Sequence, residues 1–189
     1  MSRDPGDGEG QGTGKRKRTR RPRPSPSQLS PEDAYEKALS SAIRLLSVRE
    51  RSRAELRSRL ARKGYHPSIV IRVLDHLEEY DLQNDQRFAQ TFVEESHRAT
   101  RGLSAFAIRG ELRRRGVDRS LAAEASTERP EDEEVRARAL AQRRGIRMAG
   151  LPVEVARRRL EGFLARRGYP AELCSRLAAE ATRRESDGR

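Results

Sequence analysis

The side chains with chemistry to offer are arginines, and they recur in three groups. Arg53, Arg57, Arg59, Arg62 and Lys63 form the first, Arg109, Arg113, Arg114 and Arg115 the second, and Arg157, Arg158, Arg159, Arg166 and Arg167 the third. Cations in the last turn of a helix complement its dipole, which accounts for the basic pair closing each group but not for the others. Brought into line, such groups would track a phosphate backbone or an acidic polymer surface with little sequence readout. The candidate binding residues are therefore Arg57, Arg59, Arg62, Lys63, Arg109, Arg113, Arg114, Arg115, Arg158, Arg166 and Arg167; a merely solvated basic face is the plainer reading of the same residues.

Catalytic chemistry has no comparable signal. His66, His76 and His97 are too scattered to hold a metal, and surface or capping roles are expected of them. No nucleophile–base–acid arrangement, phosphate-cradling glycine loop or carboxylate pair stands out, so neither an enzyme nor a cofactor is expected. Cys174 is the only cysteine and reads as a small buried hydrophobe in a reducing compartment. No apolar run approaches the roughly 18 residues of a membrane span, and no hydrophobic signal segment is present, so a soluble intracellular protein is expected.

The elements that must position the arginines repeat. Ser52 to Leu77 reads as a helix, a stop and a second helix. Ser52 and Glu55 have the spacing of a capping box, Gly64 supplies the left-handed stop, Tyr65 is placed to pack back on Leu60, and Pro67 fits a first helical turn. Gly116 and Gly168 follow Gly64 at intervals of 52 residues, each with an apolar residue four positions before it (Leu60, Leu112, Leu164) and a basic pair between. Three stops in register with their packing partners indicate a tandem repeat. Gly110 and Gly162 share a mid-helix position at the same interval. Each costs about 1 kcal/mol relative to alanine, and either close helix packing or close approach of a partner could offset that.

Along the chain, residues 1–29 read as a disordered basic arm, with a dense cationic run from Lys15 to Pro24. That run suits a flexible arm on phosphates, an import-like signal or a solvated tail. Ser30-Pro31 opens repeat one (30–80). Asn84 caps the first helix of repeat two (81–126), Ser104 its second and Asp118 its third. Repeat three (127–182) begins at Pro130, with Val135, Ala139 and Leu140 expected on its inner face, a loop from Gly145 to Gly150, and a helix from Pro152 carrying Val155, Leu160, Phe163 and Leu164 inward. Residues 183–189 should fray. The chain has 34% apolar and 4% aromatic residues, which favours several small cores over one large one. Nothing alternates with period two, so the expected fold is all-α: three tandem three-helix repeats in an elongated, curved, solenoid-like body. The net charge is +12, and residues 1–30 hold only eight of the 41 Lys/Arg, so the repeats are basic in their own right.

The capped SRAELRSRLARKGY, then NDQRFAQTFVEES with Asp85, Arg87, Phe88 and Ala89, then IRGELRRRGVD, resemble the RecX regulatory proteins of bacteria. The resemblance runs from about Ser30 to Ala181, is loosest in repeat three and excludes the arm. It implies tandem three-helix repeats, binding in the groove of a RecA recombinase filament, and restraint of its recombination, ATPase and coprotease activities. It also implies a bacterial cytoplasm, which sets nuclear import aside. A monomer is expected, with single- or double-stranded DNA as a further partner. The competing reading is a helix-turn-helix-like or nonspecific DNA-binding protein. The helix after Gly64, PSIVIRVLDHLEEY, is apolar and acidic where a base reader would be polar, and that weakens it.

Overall fold

The computed structural model describes residues 26–98 and 101–186, and no strand occurs among them. Most of the arm predicted from the sequence lies outside them. Among the described residues, nine α-helices follow a short 3-10 turn at Pro26–Gln28: α1 Pro31–Leu46, α2 Arg53–Arg62, α3 Pro67–Glu79, α4 Asp85–His97, α5 Ala105–Arg114, α6 Arg119–Ala125, α7 Pro130–Ile146, α8 Val153–Ala165 and α9 Ala171–Ser186.

Each boundary has a local cause. The hydroxyl of Ser30 accepts from the N–H of Asp33, that of Ser52 from Glu55 and that of Ser104 from Ala107. The Asn84 and Asp118 side chains each accept from two N–H groups at the heads of α4 and α6. Gly64, Gly116 and Gly168 stop the second helices at φ +88°, +79° and +85°. Beyond the first two, Tyr65 and Val117 return their N–H groups to the carbonyls of Leu60 and Leu112, closing the stop. His66 caps α3 through its ring, accepting from Ser68.

Three separate cores result. Ala34, Ala38 and Ala42 let α1 lie close against Leu56, Leu60, Val73, Leu74 and Leu77. Phe88, Phe92, Ile108, Leu112 and Val117 fill the second, and Leu140, Leu160, Leu164, Tyr169, Cys174 and Leu177 the third. The extensive helix–helix contacts all fall within a set of three consecutive helices, so each repeat is a packing unit and joins its neighbour through a narrow seam.

Five expectations need correction. Residues 26–29 were expected to be disordered, but Pro26–Gln28 forms a turn and Leu29 packs on the first core. In α7 the inner face is Ala137, Leu140 and Ala141, while Val135 is 63% exposed and Ala139 is also exposed. Val135 lies two residues, about 200° of helical rotation, from Ala137. The helix also continues through Gly145 to Ile146, leaving only a short turn before α8, where Ala156 rather than Val155 faces the core. Finally, α9 runs on to Ser186 instead of fraying from 183.

Candidate functional site

The seams decide where the arginines stand. At the first, the hydroxyl of Ser52, at the head of α2, donates to the carbonyl of Arg115, at the foot of α5, at 2.5 Å. At the second, the N–H of Ser104, at the head of α5, donates to the carbonyl of Arg167, just past α8, at 2.9 Å. The second helices of the repeats therefore join foot to head in series, α8 to α5 and α5 to α2. Each seam is closed by a carboxylate from the next repeat's first helix. Asp85 accepts from the N–H of Arg53 and Glu133 from the N–H of Ala105, both at 2.8 Å, which satisfies a free donor at a positive dipole end.

The stop glycines belong to the same seams. A Cβ on Gly116 would stand 2.2 Å from that of Ala54, and one on Gly168 would stand 2.6 Å from the Ser104 hydroxyl and 2.7 Å from the Ala107 methyl. Glycine is required there twice over, for its backbone angle and for the closeness of the preceding repeat. Gly64 has no preceding repeat, and Pro26 occupies that side at 3.8 Å.

Several of the sequence-predicted site residues are engaged inside the body. Arg115 pairs with Glu55 at 3.1 Å and lies over the Phe92 ring at 4.7 Å. Arg167 donates to the carbonyl of Arg101 at 2.8 Å and lies 3.7 Å over the ring of Phe163. Burial opposes ionisation of Glu55, yet the hydrogen bond from Arg49 and the charges of Arg49, Arg115 and Arg51 outweigh it and hold its carboxyl below the ordinary range. Glu55 is thus spent on the seam. The reciprocal half of the capping box, a bond from Glu55 back to its own helix start, gives way to these two arginines. Arg53 is drawn onto α3 by Asp75 and Glu78.

The remaining candidates face outward along this series. Arg57, Arg62, Lys63, Arg109, Arg113, Arg114, Arg158 and Arg166 are exposed, and Arg59 is half-buried. Arg109 touches the Ser126 hydroxyl and Arg114 pairs with Glu111 one turn away. The mid-helix glycines are not explained by packing. A Cβ on Gly110 would meet nothing within 4 Å, and one on Gly162 only the far end of Arg166. Phe106, one turn before Gly110, is 76% exposed. Sequence reasoning missed two contributors to the cationic surface. Arg144 and Arg147 project from the end of α7, where a loop was expected, into a concavity shared with Arg158, Arg159 and Arg166. The signal was the unbroken run from Pro130 to Ile146, read as ending two residues early, at Arg144.

Among the described residues no group of His, Cys, Asp or Glu could hold a metal ion, and no helix is long and apolar enough to cross a membrane. His76 packs against Tyr35 and Tyr80, His97 lies beside Glu128, and Cys174 is buried with burial raising its thiol pKa.

Comparison with known proteins matches this three-unit body unit by unit. The profile of the first RecX three-helix domain covers residues 38–77, the second 84–125 and the third 131–177. The chain belongs to the RecX family. The regulatory protein RecX of Amycolatopsis mediterranei (strain U-32) is 42% identical over 158 residues, covering 83% of this chain and 90% of that one. That of Thermobifida fusca (strain YX) is 41% identical over 152 residues, covering 80% and 82%. The crystal structure of RecX from Lactobacillus salivarius superposes with a TM-score of 0.65 over 79% of this chain and 97% of that one; at 20% identity it shares the fold. The motif that carried the resemblance to RecX is largely seam and core. Asp85 caps α2 across the seam, Arg87 pairs with Glu50 at 2.8 Å, and Phe88 and Ala89 are buried in the second core.

Proposed function

We propose that the chain is a non-enzymatic regulator that lies in the groove of a RecA recombinase filament and restrains recombination, ATP hydrolysis and coprotease activity. Membership of the RecX family supports the regulatory role. The observation that carries the filament reading is the series of second helices joined foot to head, with outward cations on all three. A serial body of this kind reaches across neighbouring protomers of a helical polymer, and a body seated in the groove obstructs strand exchange and the docking of cleavage substrates. The exposed Phe106 beside the bare Gly110 gives the series an apolar point of close approach at its middle. In this reading the protein works as a monomer in the bacterial cytoplasm, against recombinase and its bound DNA.

The test is DNA-dependent ATP hydrolysis by a RecA filament as the protein is added below stoichiometry. Loss of hydrolysis without matching coverage of free DNA is the expected result. Inhibition that follows DNA coverage alone and disappears with modest salt would leave only phosphate competition. A helix-turn-helix reading is less well supported, because α3 directs Asp75 and Glu78 to Arg53 instead of offering polar residues to bases.

A further inference from the structure

The third repeat holds a charge arrangement that neither packing nor the seams explain. Arg144, Arg147, Arg158, Arg159 and Arg166 line a concavity of about 560 Å³ between the end of α7 and α8, and no carboxylate lines it. Its remaining walls are Met148, Leu151, Gly162 and Phe163. Elsewhere nine arginines form ion pairs with acids, whereas none of these five does so among the described residues. Four of the five are exposed; Arg144 is half-buried, lies over Phe163 at 5.4 Å, and has its Nε buried without a hydrogen-bond partner. Five like charges around one hollow repel one another, and an anion between them relieves that repulsion.

We infer that this hollow is a binding site for the phosphate backbone of a single-stranded nucleic acid. The inference deepens the role proposed above, and rests on it for its context, by assigning the nucleic-acid half of the contact to repeat three. Guanidinium forks match phosphate oxygens with paired bonds. Arg158, on α8, and Arg166, capping its end, are eight residues and about 12 Å of helical rise apart, so the site spans successive phosphates of a strand. Leu151 and the part of Phe163 left uncovered by Arg167 give the hollow an apolar contact for an unstacked base, which a duplex does not present. Gly162 lets the Arg166 guanidinium lie down across the helix surface, 3.3 Å from where a Cβ would stand, so the charge faces the hollow. A carboxylate-bearing protein surface would satisfy the charges but leave the narrow apolar floor unused.

The test uses the full chain and a fluorescein-labelled oligothymidylate, with anisotropy read across a salt series and no recombinase present. The pocket variant Arg147→Gln/Arg158→Gln/Arg159→Gln changes exposed residues only. Its control, Arg44→Gln/Arg98→Gln/Arg119→Gln, removes the same charge from exposed sites outside the hollow. The pocket variant is expected to bind at least tenfold more weakly, with the salt slope falling by about 2 for three lost contacts, and the control by less than threefold. Gly162→Leu, which fills the floor and pushes the Arg166 guanidinium aside without altering net charge, should weaken binding severalfold. Equal losses in pocket and control variants, or no loss in the pocket variant, would overturn the site. A pocket variant that keeps strand affinity but loses recombinase inhibition would show that the hollow faces protein. Tighter binding of duplex than of single strand, lost with the pocket, would overturn the assignment to a single strand. Because strand binding is measured without recombinase, failure here is distinct from failure of filament regulation.

Discussion

The fully buried Ser52 hydroxyl accepts from the N–H of Glu55, one turn along its own helix, and donates to the carbonyl of Arg115, 63 residues away. One side chain thus caps α2 and fastens repeat two to repeat one. Ser52→Ala should cost about 2–4 kcal/mol, the sum of a lost cap and a buried carbonyl left without its donor. Ser104→Ala loses a cap but keeps the backbone bond to Arg167, and should cost about 1 kcal/mol. Urea unfolding of the two variants checks the difference.

The glycines should rank by their surroundings. Gly116→Ala combines a left-handed backbone angle with a collision at Ala54, and should be the most destabilising of the set. Gly64→Ala meets only ordinary contact with Pro26, so its cost should stay near the roughly 1–2 kcal/mol of the backbone angle. Gly110→Ala has open space above it and should stabilise the chain by about 0.5–1 kcal/mol. If that stabler variant also loses recombinase inhibition, the position serves a partner; full inhibition would count against α5 as the contact face.

Adjacent arginines at the foot of α5 should separate stability from binding. Arg115→Ala removes a pair to Glu55 and a cation over Phe92, and should cost about 1–2 kcal/mol, because Arg49 still serves the carboxylate. Arg114 is 72% exposed and its substitution should leave stability within about 0.5 kcal/mol. Thermal unfolding alongside filament inhibition distinguishes them, with Arg114→Ala expected to affect only the second.

The second seam should weaken in mild acid. His97 Nε2 lies 3.1 Å from Glu128 but makes no hydrogen bond to it, and Arg136 holds both oxygens of that carboxylate at 2.8 Å. Burial, and then the Arg136 charge, hold the imidazole pKa below its ordinary value despite Glu128 and Glu133. A group lowered in the folded state favours folding above its unfolded pKa of about 6.5, and that contribution is lost as pH falls through the folded value. Between pH 7.5 and 5 the wild type should therefore lose stability more steeply than His97→Gln. Parallel curves would show that His97 does not titrate in that window.

Much of the fold was legible because its signals are local. Ser30, Asn84, Ser104 and Asp118 cap the helices they precede, and Gly64, Gly116 and Gly168 adopt the left-handed angle their positions require. What local signals do not carry is the relation between repeats. Arg115 and Arg167 look on paper like Arg114 and Arg166, and only the seam separates structural from outward cations. The glycine interval was visible, but its second cause, Ala54 or Ser104 pressed against the bare Cα, lies a whole repeat away. Repeat three was read least well because its first helix has arginines and alanines on every side, so its apolar period is faint and Val135 drew the face to the wrong flank.

Pro26 gives the array a closed end. Gly116 and Gly168 each receive the head of a foregoing helix, and Gly64 would present the same socket to the unsatisfied head of α8, with its exposed Val153 and Val155, on another molecule. Head-to-tail joints of that sort do not close on themselves and propagate into fibres. With Pro26 lying 3.8 Å from where a Gly64 Cβ would stand, a helix head coming onto that socket must first displace the Pro26–Gln28 turn.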